Sequence, residues 1–215
     1  MEPAPKHDTS NEMWARYHAA GSRSVQGLLH SVKQNLVCRV FARRVLSFAG
    51  PGPVRSILEL GCGSASTLAQ VQRRTGASCH GVDRCEPVID AARRAYPGLH
   101  LDVGDLFSLD YPEKSFDLVF SIGLLEHFDH EDQLRLLDIH ARLARRAIAL
   151  MTPADSLLMN SILWVNKDLR GRTGTWADEE VFSRQSLARK FPQYQLESFK
   201  DALFGNLIIW FGCRT

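Results

Sequence analysis

The stretch Ile57-Leu58-Glu59-Leu60-Gly61-Cys62-Gly63-Ser64-Ala65 is an apolar run that ends beside an acid and breaks into two glycines spaced one apart. Ser66, Thr67, Leu68, Ala69 and Val71 follow with helical spacing. The pattern predicts a buried strand, a tight glycine turn and a helix N-terminus. An open α/β sheet holds ligands at its strand tips with that arrangement.

Outward from this point the chain alternates. Strands are expected at Val54–Leu60, Ser78–Val82, Leu99–Val103, Phe116–Ile122 and Ala147–Met151. Helices are expected at Ser66–Thr75, from Pro87 to the Pro97-Gly98 stop, and at Glu131–Leu143. Phe116, Leu118, Val119 and Phe120 make the fourth strand almost continuously apolar, as a strand covered on both faces must be. The βα repeat implies an α/β fold with a doubly wound, mostly parallel sheet and right-handed crossovers. Two later runs, Tyr194–Lys200 and Asn206–Cys213, are joined through Asp201–Gly205 and read as a hairpin. They complete a seven-stranded sheet with an antiparallel C-terminal strand.

Upstream, Trp14, Tyr17 and His18 share one face of a short helix that Gly21 breaks. A longer helix over Ser24–Phe48 carries an apolar stripe and stops at Gly50-Pro51-Gly52-Pro53. The expected division is an N-terminal helical arm or lid over 1–50 and an α/β domain over 51–215. An insertion at about 153–182 breaks the strand–helix rhythm where such folds build specificity.

A length of 215 residues suits one well-buried domain. The formal net charge of +2 argues against a dedicated nucleic-acid or membrane-surface binder. Arginine pairs at 43–44, 73–74, 93–94 and 145–146 fall on separate elements, as solvated faces do. No apolar run could span a bilayer, and residues 1–8 lack the apolar core of a signal peptide. Five cysteines without CxxC spacing point to a reducing, cytoplasmic setting.

The strand tips carry the chemistry. Glu59 precedes the glycines, Asp83 ends the second strand, Gly104 and Asp105 follow the third, and Ser121 ends the fourth. An acid ending the second strand can accept two ribose hydroxyls. Glu59 discriminates between ligands, because a carboxylate beside the turn repels a pyrophosphate and welcomes an ammonium. The third glycine of a dinucleotide fingerprint is replaced by Ser66, and no P-loop lysine follows. The residues therefore suit a nucleoside with a cationic tail.

Glu59-Leu60-Gly61-Cys62-Gly63, Gly81-Val82-Asp83, Gly104-Asp105-Leu106 and Phe116-Asp117-Leu118-Val119 through Leu125-Glu126-His127 resemble the class I, Rossmann-like S-adenosylmethionine-dependent methyltransferases of small-molecule type. The resemblance covers residues 54–152. It implies S-adenosyl-L-methionine as cofactor, with Gly61, Cys62 and Gly63 along its methionine part and Glu59 toward its ammonium. Asp83 would take the ribose, and Arg84 would flank the adenine. Asp105 and the Leu106 backbone, after Gly104, would recognise the adenine edge. Ser121 and Ile122 would sit beside the sulfonium.

Cys62 reads as a packing choice, because no neighbouring base or cation would activate its thiol. His127 reads either as a general base for the acceptor or as a polar residue at a helix start. The acids and histidines of 126–132 suit the first turn of a helix better than a metal, so no metal is expected. The fifth strand ends Met151-Thr152-Pro153 rather than in the Asp-Asn pair of the metal-dependent branch, and the clamp of base- and amide-directed enzymes is absent after the fourth strand. Trp14, Tyr17, His18, Trp164 and Trp176 are candidates for contacting a small-molecule acceptor, with core packing the alternative. A cofactor-binding regulatory or scaffolding protein without methyl transfer is the rival function. Neither the acceptor nor the oligomeric state is written in the residues.

Overall fold

A computed structural model of the protein describes residues 36, 38–43, 45, 46, 51–164, 180–194, 197–201 and 206–212. Trp14, Tyr17, His18 and Trp176 lie outside the described residues, as do residues 165–179 of the insertion and 202–205 of the hairpin connection. Helical residues within 36–46 (α1) lead to β1 (Ser56–Leu60), α2 (Ser66–Thr75), β2 (Ser78–Asp83), α3 (Glu86–Ala95) and β3 (His100–Val103). A 3₁₀ turn (Leu106–Ser108) precedes β4 (Phe116–Ile122), and a second one (Leu125–His127) precedes α4 (His130–Leu143). Then come β5 (Ala144–Pro153), α5 (Leu157–Trp164), α6 (Arg184–Lys190), β6 (Glu197–Asp201) and β7 (Asn206–Gly212).

The strands form one sheet in the order β3-β2-β1-β4-β5-β7-β6. The five strands β1 to β5 are mutually parallel, and β7 runs antiparallel to both β5 and β6. The order reverses between β1 and β4, the switch point at which open α/β sheets leave a crevice beyond their strand ends. Sequence pattern and structure agree on the parallel α/β core.

Both faces of the sheet are covered. On one, Phe41, Ala42 and Val45 of α1, Leu68 and Val71 of α2 and Ile89 of α3 pack on Ile57, Leu118 and Phe120. Phe41 and Phe120 meet with ring centroids 5.4 Å apart. On the other, Leu136, Leu137 and Leu143 of α4, with Phe182, Leu187 and Phe191 around α6, pack on Leu58, Val119 and Ile148. Burying such side chains contributes roughly 1.5–3 kcal/mol apiece before chain entropy is subtracted.

At the opposite end of the sheet from the glycine turn, Asp117 joins three strands. Its Oδ2 accepts the Arg55 and Ser56 N–H groups at 2.8 and 3.2 Å, and its Oδ1 accepts Arg145 at 2.7 Å. Burial pushes this carboxyl up, but the Arg55 N–H, the Arg145 guanidinium and the Ser56 N–H together hold it below the ordinary carboxylate value.

Two elements depart from the sequence reading. The fifth strand begins at Ala144, not Ala147, because Arg145 finds Asp117 and Arg146 donates to the Pro51 and Pro53 carbonyls. Part of the expected insertion is helix α5, whose apolar run has no polar face to mark a period.

Candidate functional site at the strand tips

The glycine turn hangs from the end of β2. Gly61 and Cys62 both donate their N–H to the Val82 carbonyl, at 2.9 and 3.1 Å. Gly63 donates to Asp83 Oδ2 at 2.9 Å, and Cys85 donates to Asp83 Oδ1 at 2.9 Å. The Asp83 carboxylate is thus fixed from both sides. Each oxygen retains acceptor capacity, because a carboxylate offers about four lone-pair sites. Gly104 is drawn into the same corner through its N–H, 3.0 Å from the Asp83 carbonyl.

Chain direction inside the turn needs left-handed backbone. Gly61 has φ +67°, and a Cβ there would come within 2.8 Å of Leu124. Ala65 adopts φ 53° without glycine's freedom, at a cost of roughly 1–2 kcal/mol. Gly81 is required for a different reason, since a Cβ would lie 2.8 Å from both the Cys62 sulfur and Leu101. Cys62 is therefore a packing residue, 6% exposed, whose thiol burial pushes up strongly, with the Glu59 and Asp83 carboxyls adding to the effect.

Glu59 is only 3% exposed. The Leu68 N–H in the first turn of α2 hydrogen-bonds it. Since Ala65 offers no side-chain cap to α2, Glu59 supplies that function from the neighbouring strand. Its Oε2 has no hydrogen-bond partner among the described residues. Asp105 lies exposed beyond β3, and its Oδ1 accepts the Phe107 N–H at 3.0 Å, capping the turn that carries Leu106. Arg84 is exposed and Ile122 half-buried. His127 is half-buried at the end of the second 3₁₀ turn, not in the first turn of α4. Trp164 ends α5 and is 57% exposed, so it is not core. Among the described residues no cluster of three histidine, cysteine or acidic side chains could hold a metal.

Ser121 has a partner that the sequence did not reveal. It is buried, and its Oγ lies 3.2 Å from His140 Nε2. His140 Nδ1 lies 2.7 Å from the Leu136 carbonyl, which can only accept, so Nδ1 carries the proton and the Ser121 hydroxyl donates to Nε2. Gln133, also fully buried on α4, donates to the Leu125 and Phe128 carbonyls and to Glu180 at 3.1, 2.9 and 2.8 Å. The turn ending at His127 is thereby tied to α4 and to the segment returning from the insertion. Both residues interrupt an apolar stripe on α4, the only signal that could have found them.

A separate hollow lies on the outer edge of the sheet, lined by His80, Arg93, His100, Asp102 and Tyr111. His80 and His100 stack there at 4.7 Å. It is built on the beginnings of β2 and β3, away from the strand tips, and contains none of the strand-tip acids Glu59, Asp83 and Asp105.

Residues 57–147 match the family model described as a methyltransferase domain. A phosphoethanolamine N-methyltransferase of Plasmodium falciparum is 22% identical over 75% of this chain and 56% of its own length. A norajmaline N-methyltransferase of Rauvolfia serpentina is 29% identical over 37% of this chain and 29% of its own length. The chain therefore spans about half, or less, of the curated relatives it matches. The crystal structure of a magnesium protoporphyrin IX methyltransferase from Synechocystis PCC 6803 with bound SAH superposes with a TM-score of 0.69. That comparison covers 97% of this chain and 96% of the other at 16% identity, and so shows a shared fold.

Burial sets the pH behaviour of the site's framework. Desolvation pushes the His140 imidazole down from the ordinary 6.5 to about 4, against the Leu136 hydrogen bond, which pulls it up. The unfolded chain binds that proton first, so His140 contributes stability fully present above the ordinary value and lost as pH falls from 6.5 through about 4. Urea unfolding across this window should show a loss of about 3 kcal/mol that a His140→Gln variant lacks. A variant with the same pH slope as the wild type would assign the loss elsewhere.

Proposed function

We propose that the chain, whose residues 57–147 match a methyltransferase domain model, is a class I methyltransferase that binds S-adenosyl-L-methionine at the strand tips and transfers its methyl group to a small-molecule O, N, S or C nucleophile. One observation carries the reading. Asp83 is held by two backbone N–H groups beside a glycine turn, with a buried, half-satisfied carboxyl, Glu59, behind that turn. A nucleoside with an ammonium-bearing tail uses both acids, Asp83 for its ribose and Glu59 for its charge, whereas a pyrophosphate brings Glu59 no cation to pair with.

In this reading the ribose hydroxyls donate to the lone pairs that Gly63 and Cys85 leave open on Asp83. The turn carrying Asp105 and Leu106 takes the adenine edge, and Arg84 flanks the base. Gly61 and Gly63 let the methionine portion approach the backbone, and Ser121 and Ile122 line the end near the sulfonium. The cofactor supplies an electrophilic methyl group, so the protein has chiefly to orient the acceptor and exclude water. His127, on the turn held by Gln133, is the candidate general base. Small acceptors are favoured by the relatives' own names, and exposed Trp164 after β5 offers an aromatic contact for one. Buried cysteines outside any disulfide at Cys38, Cys62 and Cys79 support a reducing, cytoplasmic compartment.

Isothermal titration should show S-adenosylhomocysteine binding at one site and no comparable binding of NAD. Asp83→Ala should weaken that binding at least tenfold, since a charge-assisted hydrogen bond contributes about 1.5–3 kcal/mol. Tight NAD binding without S-adenosylhomocysteine binding would sink the cofactor assignment. Binding with no turnover on any acceptor would favour a regulatory or scaffolding role. With an acceptor in hand, a saturated rate unaltered in His127→Ala would remove His127 as the base.

A further inference from the structure

Of the acids Glu59, Asp83 and Asp105, Glu59 is the buried one whose surroundings do not match its charge. It is 3% exposed, and only one side of its carboxyl is satisfied, by the Leu68 N–H. Its Oε2 has no donor among the described residues. The titratable groups facing it come from α1, the glycine turn and β2, while, among the described residues, β4 and α2 present none. They are Cys38 on α1, Cys62 on the glycine turn, and Cys79 and Asp83 on β2. Three are thiols and the fourth is a carboxylate. Among the described residues no cation reaches it. The Cys38 thiol is itself occupied by the Thr67 hydroxyl at 2.8 Å.

An ionised carboxylate in that position would be desolvated, short of one donor and repelled by Asp83. Burial accordingly pushes the Glu59 carboxyl well above the ordinary carboxylate range, and Asp83 pushes the same way against the opposing Leu68 hydrogen bond. On Asp83, by contrast, each oxygen accepts a backbone N–H, from Gly63 and from Cys85.

We propose that Glu59 carries a proton in the ligand-free protein and releases it to solvent when an ammonium-bearing ligand binds, so that ligand capture and deprotonation are a single coupled event. This rests on the strand tips being the S-adenosylmethionine site. The balance is simple: a neutral carboxylic acid and a ligand ammonium become a carboxylate–ammonium pair, and one proton goes to water. The arriving cation supplies the charge and the donor that Glu59 lacks. Affinity should therefore rise with pH, by up to about tenfold per unit, wherever free Glu59 is protonated and bound Glu59 is not.

Titration calorimetry of S-adenosylhomocysteine in buffers of different ionisation enthalpy counts the protons. The wild type should release close to one per ligand. Glu59→Gln keeps an oxygen for the Leu68 N–H but has no such proton, and should release none. 5′-Methylthioadenosine, which has the nucleoside and sulfur but no ammonium, should bind the wild type without release. S-adenosylhomocysteine binding with no proton release would overturn the proposal, as would equal release by wild type and Glu59→Gln. No binding of either compound to the wild type would instead overturn the assignment of the site. Should Glu59→Gln not fold, infrared difference spectra of the wild type decide. The C=O stretch of a protonated carboxyl must disappear on adding S-adenosylhomocysteine, and its persistence refutes the proposal.

Discussion

The hydrogen bond from Gly63 N–H to Asp83 Oδ2, at 2.9 Å, is the contact on which the site depends. It joins the glycine turn after β1 to the acid that ends β2, so two neighbouring strand tips become one rigid corner. The Val82 carbonyl reinforces it by accepting from both Gly61 and Cys62. Neither strand alone could orient a ligand. Gly81 allows Cys62 to pack beneath the turn, and Glu59 caps α2 from below. Each residue of the motif has a structural task beside any binding task, so the residues that build the turn are the ones the proposed site uses.

The division of labour between the acids follows from their donors. Asp83 has two N–H partners and lies half-buried, whereas Glu59 has one and is sealed among thiols and helix. Placing a poorly satisfied acid behind the turn costs folding energy in the free protein. A ligand that brings its own positive charge offsets that cost, and the difference is available as selectivity for such ligands over phosphates.

Much of the fold was legible because parallel strands buried on both faces are written as local apolar runs, such as Phe116–Phe120. The tip acids were legible too, since each lies within a residue or two of its strand's end. What could not be read depended on partners far along the chain. Ala144–Arg146 fell between the expected helix and strand, because Asp117 and the Pro51 and Pro53 carbonyls that make it strand lie far back along the chain. His140 and Gln133 interrupt the apolar stripe of α4 and stand in no motif. Their roles emerge only when Ser121, the turn ending at His127 and Glu180 are brought against them. Helix α5 was hidden by the absence of a polar face.

Amide hydrogen exchange with and without S-adenosylhomocysteine tests the central claim most directly, because it reports on the strand tips and on the outer-edge hollow separately. Binding at the strand tips predicts slowed exchange in Glu59–Ala69, Asp83–Cys85 and Gly104–Phe107, with the outer edge of β3 unchanged. Slowing confined to the hollow around His80, His100 and Tyr111, with Gly61–Gly63 unaffected, would contradict the account.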